Sequence, residues 1–82
     1  MAKRNTYKYE LKRGNEVVYA GITNNPARRE AEHRQDKDFN KMTIVGKPCS
    51  RLRAEQWEVD RIETYMRNHR GKTPKYNKTT TG

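Results

Sequence analysis

The chain has 82 residues, 30% of them hydrophobic, and its 19 Lys and Arg against 10 Asp and Glu leave a net charge of +9. That length admits one small domain with a thin core, and the charge excess points to a polyanion, nucleic acid before an anionic membrane, because phosphate contacts release counterions. A single cysteine excludes an internal disulfide, and one Cys with two His excludes a four-ligand structural zinc site of the usual kind.

The first element begins near Tyr7. Tyr7, Tyr9 and Leu11 alternate with Lys8, Glu10 and Lys12, the pattern of a half-buried strand. Arg13-Gly14-Asn15 is turn chemistry, and Glu16 to Ile22 reads as another strand, so the two form a hairpin. Asn25-Pro26 is an N-cap followed by proline at the first helical position, which predicts a helix from about Pro26 to Arg34. Ala27 and Ala31 mark its packed side, and Arg29 and His33 share the opposite side. Taken alone, that charged side reads as a solvated face.

Lys41 to Val45 predicts a short third strand, ended by Gly46-Lys47-Pro48. Ser50 is a plausible N-cap for a long helix to about His69, with Gly71 as its stop. Leu52, Val59, Ile62 and Met66 form the expected apolar stripe, and Ala54, Trp57 and Tyr65 a weaker patch across the helix. Glu63 lies within about 40° of Val59 on the helical wheel, so it is expected to flank the stripe. A carboxylate at a packing edge needs a partner or a cation. His69 suits the negative end of the helix dipole, and Cys49 has no assigned role.

No apolar run reaches the length of about 18 residues that would span a membrane, and no segment reads as a signal peptide. A reducing cytoplasm is the expected compartment. One domain over 1–82 is expected, with 1–5 and 78–82 flexible.

Two triplets, Tyr7-Lys8-Tyr9 on the first strand and Tyr19-Ala20-Gly21 on its hairpin partner, resemble a pair of family signatures. The former keeps only the final Tyr of its signature; the latter keeps Tyr and Gly around a small apolar residue. More specific is the order that follows: Tyr-x-Gly-x-Thr at 19–23, then Arg29, His33, Glu63 within a helix, and Tyr76-Asn77 near the end. From about residue 6 to 77 the chain resembles the GIY-YIG nuclease family. The resemblance implies a small α+β fold, a central three-stranded antiparallel sheet flanked by helices, which agrees with the elements read above. It also implies a DNA endonuclease that hydrolyses phosphodiesters with a divalent metal, Mg²⁺ or Mn²⁺, and a bacterial or phage origin.

Carried over by position, the implied site is Tyr9, Tyr19, Arg29, His33, Glu63 and Asn77. Arg29 suits a developing phosphorane because its planar fork is always charged. Glu63 would be the sole protein ligand of the metal, which Mg²⁺ tolerates because it keeps waters and takes a phosphate oxygen. Tyr19 would be the general base, with Tyr9 orienting the water or substituting for it. A phenolate at neutral pH needs about 4 kcal/mol of help, expected from Arg29, lysines and a metal-bound water. His33 would hydrogen-bond a tyrosine or the phosphate, and Asn77 would tie the tail back to the site. The chain leaves no room for a separate DNA-reading domain, so specificity is expected from a homodimer, a partner protein or substrate shape, or is expected to be absent. The alternatives are a non-cleaving nucleic-acid-binding module on the same fold and a basic protein–protein adaptor.

Overall fold

The structure, a computed structural model, describes residues 5–77. The expected flexible ends therefore lie outside the described residues, apart from Asn5, which is exposed. Strands β1 (Thr6–Arg13) and β2 (Glu16–Thr23) form the hairpin, followed by helix α1 (Pro26–Asp36), strand β3 (Lys41–Cys49) and helix α2 (Arg51–Asn68). The sheet is antiparallel in the order β2-β1-β3, giving an α+β fold.

β1 is the central strand, and that changes the meaning of its alternation. Tyr9 and Leu11 are buried as expected and form a cluster with Val18 and Phe39. Glu10, expected on a solvent face, is buried as well, because α2 lies across that side of β1 and β2. Arg61 of α2 pairs with its carboxylate, which satisfies the charge that burial would otherwise penalise. The outer edge of β2 is closed by the C-terminal segment. Tyr76 N–H donates to the Val18 carbonyl at 2.8 Å, and the Asn77 amide bonds both the N–H and the C=O of Ala20, at 2.9 and 3.1 Å.

Both helix starts fall where their caps predict. The Asn25 side chain accepts from Arg28 N–H at 3.1 Å with Pro26 in the first turn, and Ser50 Oγ accepts from Arg53 N–H at 3.4 Å. α1 runs on to Asp36 instead of stopping at Arg34, since nothing in Gln35-Asp36 breaks a helix and Lys37 N–H caps the His33 carbonyl. α2 stops at Asn68, and the His69 ring Nδ1 lies 2.7 Å from the Tyr65 carbonyl while stacking on the Tyr65 ring at 3.7 Å.

Two further expectations are corrected. β3 does not end at Gly46-Lys47-Pro48 but continues through it to Cys49. Gly46 takes a positive φ of 65°, and the pairing with β1 slips there, so the triplet is a bulge within an edge strand, where proline is tolerated. The other correction is the phase of α2. Its buried residues are Ala54, Glu58, Ile62 and Tyr65, whereas Leu52 is 67% exposed. The helix turns its small residue to the sheet and leaves the expected leucine outside. Glu63 lies about 140° round the helix from Glu58 and is exposed, so it does not flank the packed face.

Candidate active site

Tyr9 and Tyr19 sit on neighbouring strands, and the register places Leu11 opposite Tyr19 and Gly21 opposite Tyr9. Cross-strand partners share a face, so both rings lie over Gly21. A Cβ at that position would stand 2.7 Å from Tyr19 Cε1 and 2.7 Å from the Tyr9 hydroxyl. Glycine is therefore required there by the close approach of the two phenols. The rings stack with centroids 6.0 Å apart and an interplanar angle of 28°.

α1 brings His33 down onto this pair. His33 is the one buried residue of the helix, its Nε2 is 2.7 Å from Tyr9 Oη, and its ring lies 4.9 Å from that of Tyr19. The Tyr9 and Tyr19 hydroxyls are close enough to influence each other's titration. The result is a cluster of Tyr19, Tyr9 and His33, in which the direction of the Tyr9–His33 hydrogen bond follows the histidine tautomer. The side of α1 that reads as solvated in sequence thus carries the residue that anchors the helix.

The phenols are not prepared as standing phenolates. Burial, then the neighbouring tyrosine, raises the pKa of Tyr9, and Arg29 offsets only part of this. Burial, then the Glu58 carboxylate, raises Tyr19. The expected lowering of Tyr19 by surrounding cations is therefore outweighed. His33 moves the other way: burial, then Lys37 and Arg29, lowers its pKa, so the imidazole is neutral at pH 7.

Beside the phenols is an open pocket of about 530 Å³, lined by Tyr9, Tyr19, Ile22, Arg29, Arg51, Glu55, Glu58 and Val59. Arg29 reaches it from α1 and pairs loosely with Glu32 at 3.6 Å. The carboxylates in the pocket are Glu55 and Glu58, not Glu63, and of the two Glu58 is the buried one. Burial, with Glu55 next to it, pushes the Glu58 pKa up to about 7, and Arg51 opposes the rise. Arg51 is itself tied to Glu55 at 2.9 Å.

Of the residues expected at the site, Tyr9, Tyr19, Arg29 and His33 converge. Asn77 is buried and holds the Ala20 backbone between Tyr19 and Gly21, so it acts through the strand and does not line the pocket. Glu63 is absent from it. Glu58 escapes a reading of the sequence because hydropathy ranks Leu52 above Ala54 when the helix phase is chosen. The spacing of Ala54, Glu58, Ile62 and Tyr65 is equally helical and is the signal that points to it.

Among the described residues no group of three or more His, Cys, Asp or Glu side chains could hold a metal ion. What the pocket offers is one buried carboxylate oxygen donor of raised pKa. That donor set fits Mg²⁺ or Mn²⁺, which take few protein ligands and complete their shell with water and phosphate, and does not fit a zinc centre. Also among the described residues, no helix is long and apolar enough to cross a membrane. Comparison of the chain with protein-family models, curated proteins and solved structures returns no match.

Proposed function

We propose that the protein is a metal-dependent DNA endonuclease of the GIY-YIG type, with Glu58 in the place expected for Glu63. The observation that supports this is the convergence of Tyr9, Tyr19, Arg29 and Glu58 on one pocket, with His33 bonded behind them, from four different elements. Packing alone gives no reason to place a carboxylate, a guanidinium and two phenol hydroxyls together on a chain with so thin a core.

The chemistry follows from the groups. Tyr19 takes a proton from the attacking water as its own proton passes to Tyr9 and that of Tyr9 to His33. The concerted relay avoids a free phenolate, which burial disfavours at both tyrosines. Neutral His33 has an open nitrogen for the transferred proton. Arg29 faces the phosphoryl oxygens and stabilises the charge that develops there. Glu58 would hold the divalent cation, which when bound supplies Lewis-acid stabilisation of the phosphoryl and leaving oxygens. Gly21 keeps the two hydroxyls in register, and Asn77 fixes the strand that carries Tyr19. The net charge of +9 supplies the sequence-independent part of DNA affinity. The compartment in this reading is a reducing cytoplasm, where the lone Cys49 stays free.

The experiment is cleavage of a panel of labelled DNAs (duplex, nick, flap, junction and single strand) with Mg²⁺, Mn²⁺ or EDTA. Product that requires metal supports the proposal. Salt-sensitive binding with no product under any metal would replace it with the non-cleaving module.

A further inference from the structure

The face of the sheet that carries α2 is only partly covered. α2 lies on β1 and β2, which leaves the β3 side of that face open next to one flank of the helix. The flank is identified by the Arg61–Glu10 pair, since Glu10 sits between Ala20 of β2 and Thr43 of β3. Trp57 and Arg53 lie one and two turns before Arg61 on that same flank. The catalytic pocket, with Glu55 and Val59, is on the other.

α2 runs in the same sense as β1, because Arg61 meets Glu10 while Tyr65 lies beside Glu16, next to the end of β1. Trp57 is about 6 Å before Arg61 along the helix. Lys8 is about 6.6 Å before Glu10 along the strand. Trp57 and Lys8 are therefore level. Lys8 also leans toward β3, its Nζ 3.5 Å from where a Gly46 Cβ would be. At the other end of the same face Lys12 pairs with Lys41. Lys8, Lys12, Lys41 and Arg53 have no ion-pair partner among the described residues. In the floor between them the buried Thr43 Oγ1 is the one side-chain polar atom, among the described residues, that is buried without a hydrogen bond.

We propose that this groove, between the Trp57 flank of α2 and the open β3 side of the sheet, binds a single-stranded stretch of nucleic acid. A base stacks on Trp57, and the backbone phosphates run along Lys8, Lys12, Lys41 and Arg53. Four free cations in a row around one neutralised acid select a polyphosphate. Trp57 selects a base whose face is open, which excludes one stacked inside a duplex. A strand leaving the groove reaches the catalytic pocket over the first turn of α2. That turn has no acidic residue and presents Arg53 to the groove and Arg51 to the pocket. The inference rests on the nuclease reading only for where the strand goes next, and it makes the substrate a DNA with a single-stranded arm.

Trp57 is the only tryptophan, so its fluorescence reports the groove directly. The protein is titrated in EDTA with an oligothymidylate, a blunt hairpin duplex and polyglutamate. Oligothymidylate is expected to quench Trp57, and the other two are not. Trp57→Ala should weaken oligothymidylate binding about 5- to 150-fold, the loss of one base–aromatic stack. Lys8→Ala/Lys12→Ala keeps the tryptophan and should flatten the salt dependence of log K by about 1.4, at about 0.7 per phosphate contact on a single strand. No quenching by oligothymidylate, equal quenching by duplex or polyglutamate, or an unchanged salt slope in the double variant overturns the inference. Quenching in EDTA is independent of cleavage. A protein that is quenched but never cuts refutes the nuclease reading alone, and one that cuts without quenching refutes the groove alone.

Discussion

Glu58 is a carboxylate whose position costs stability, and replacing it with glutamine should reveal how much. Its pKa is pushed from 4.5 to about 7 by burial and by Glu55. The folded state therefore holds its proton over a range where the unfolded chain has already released it. Below pH 4.5 both states are protonated and Glu58 behaves much like a glutamine. Between pH 4.5 and 7 the wild type loses stability as pH rises, and above 7 the loss is complete. At about 1.36 kcal/mol per pH unit the full interval corresponds to at most about 3.4 kcal/mol. Solvent in the open pocket screens part of this, leaving roughly 1–2 kcal/mol. Glu58→Gln should accordingly melt roughly 4–16 °C above wild type at about pH 8 and at nearly the same temperature at about pH 4, since a domain of this size shifts by about 4–8 °C per kcal/mol. The assay is thermal unfolding by circular dichroism across that pH range in EDTA, with Glu63→Gln as control. The exposed control should follow wild type throughout. An unchanged Tm for Glu58→Gln at the alkaline end, or a Glu63→Gln effect of the same size, would refute the reasoning.

Other outcomes follow from the same geometry. Arg29→Ala should lower turnover at least about 100-fold with little change in DNA affinity, measured by single-turnover cleavage beside a binding titration. Tyr19→Phe should lose cleavage with an unchanged circular dichroism spectrum. In wild type the rate should rise with pH through about 7 at low metal, as Glu58 ionises, with that midpoint falling as metal is raised. Gly21→Ala should lose both stability and activity, because its Cβ would stand 2.7 Å from the Tyr9 hydroxyl. Melting and cleavage measured together would show it, and a fully active Gly21→Ala variant would mean the phenols are not confined as described.

What can be read from the chain is mostly what local chemistry decides. The caps at Asn25 and Ser50, the turn at Gly14-Asn15 and the helix stop near His69 depend on neighbouring residues, and the structure places them there. The meeting of Tyr9, Tyr19, Arg29 and His33 is legible only through the resemblance to the GIY-YIG family, since periodicity alone reads the Arg29–His33 side as solvated. The differences lie where tertiary contact overrides a local signal. Gly46-Lys47-Pro48 has the composition of a strand end, yet pairing with β1 carries the strand through it as a bulge. Glu10 alternates as a solvent residue, and its burial depends on Arg61, which lies in another element. The sequence favours Glu63 over Glu58 because Leu52 and Val59 have the hydropathy of a buried side. The helix approaches the sheet through Ala54 instead, and Leu52 stays outside. Relative hydrophobicity along one helix does not fix its phase when the contact calls for a small side chain.

Glu58 and the pocket it shares with Tyr19 and Arg29 are proposed to make a metal-dependent nuclease. The most direct measurement compares single-turnover cleavage of one labelled DNA by wild type, Glu58→Gln and Glu63→Gln, each with Mg²⁺ and with EDTA. Cutting is expected from wild type and Glu63→Gln in Mg²⁺, none in EDTA, and none from Glu58→Gln, which should still bind the DNA at least as tightly as wild type. Full cleavage by Glu58→Gln, or its loss in Glu63→Gln alone, would contradict this proposal.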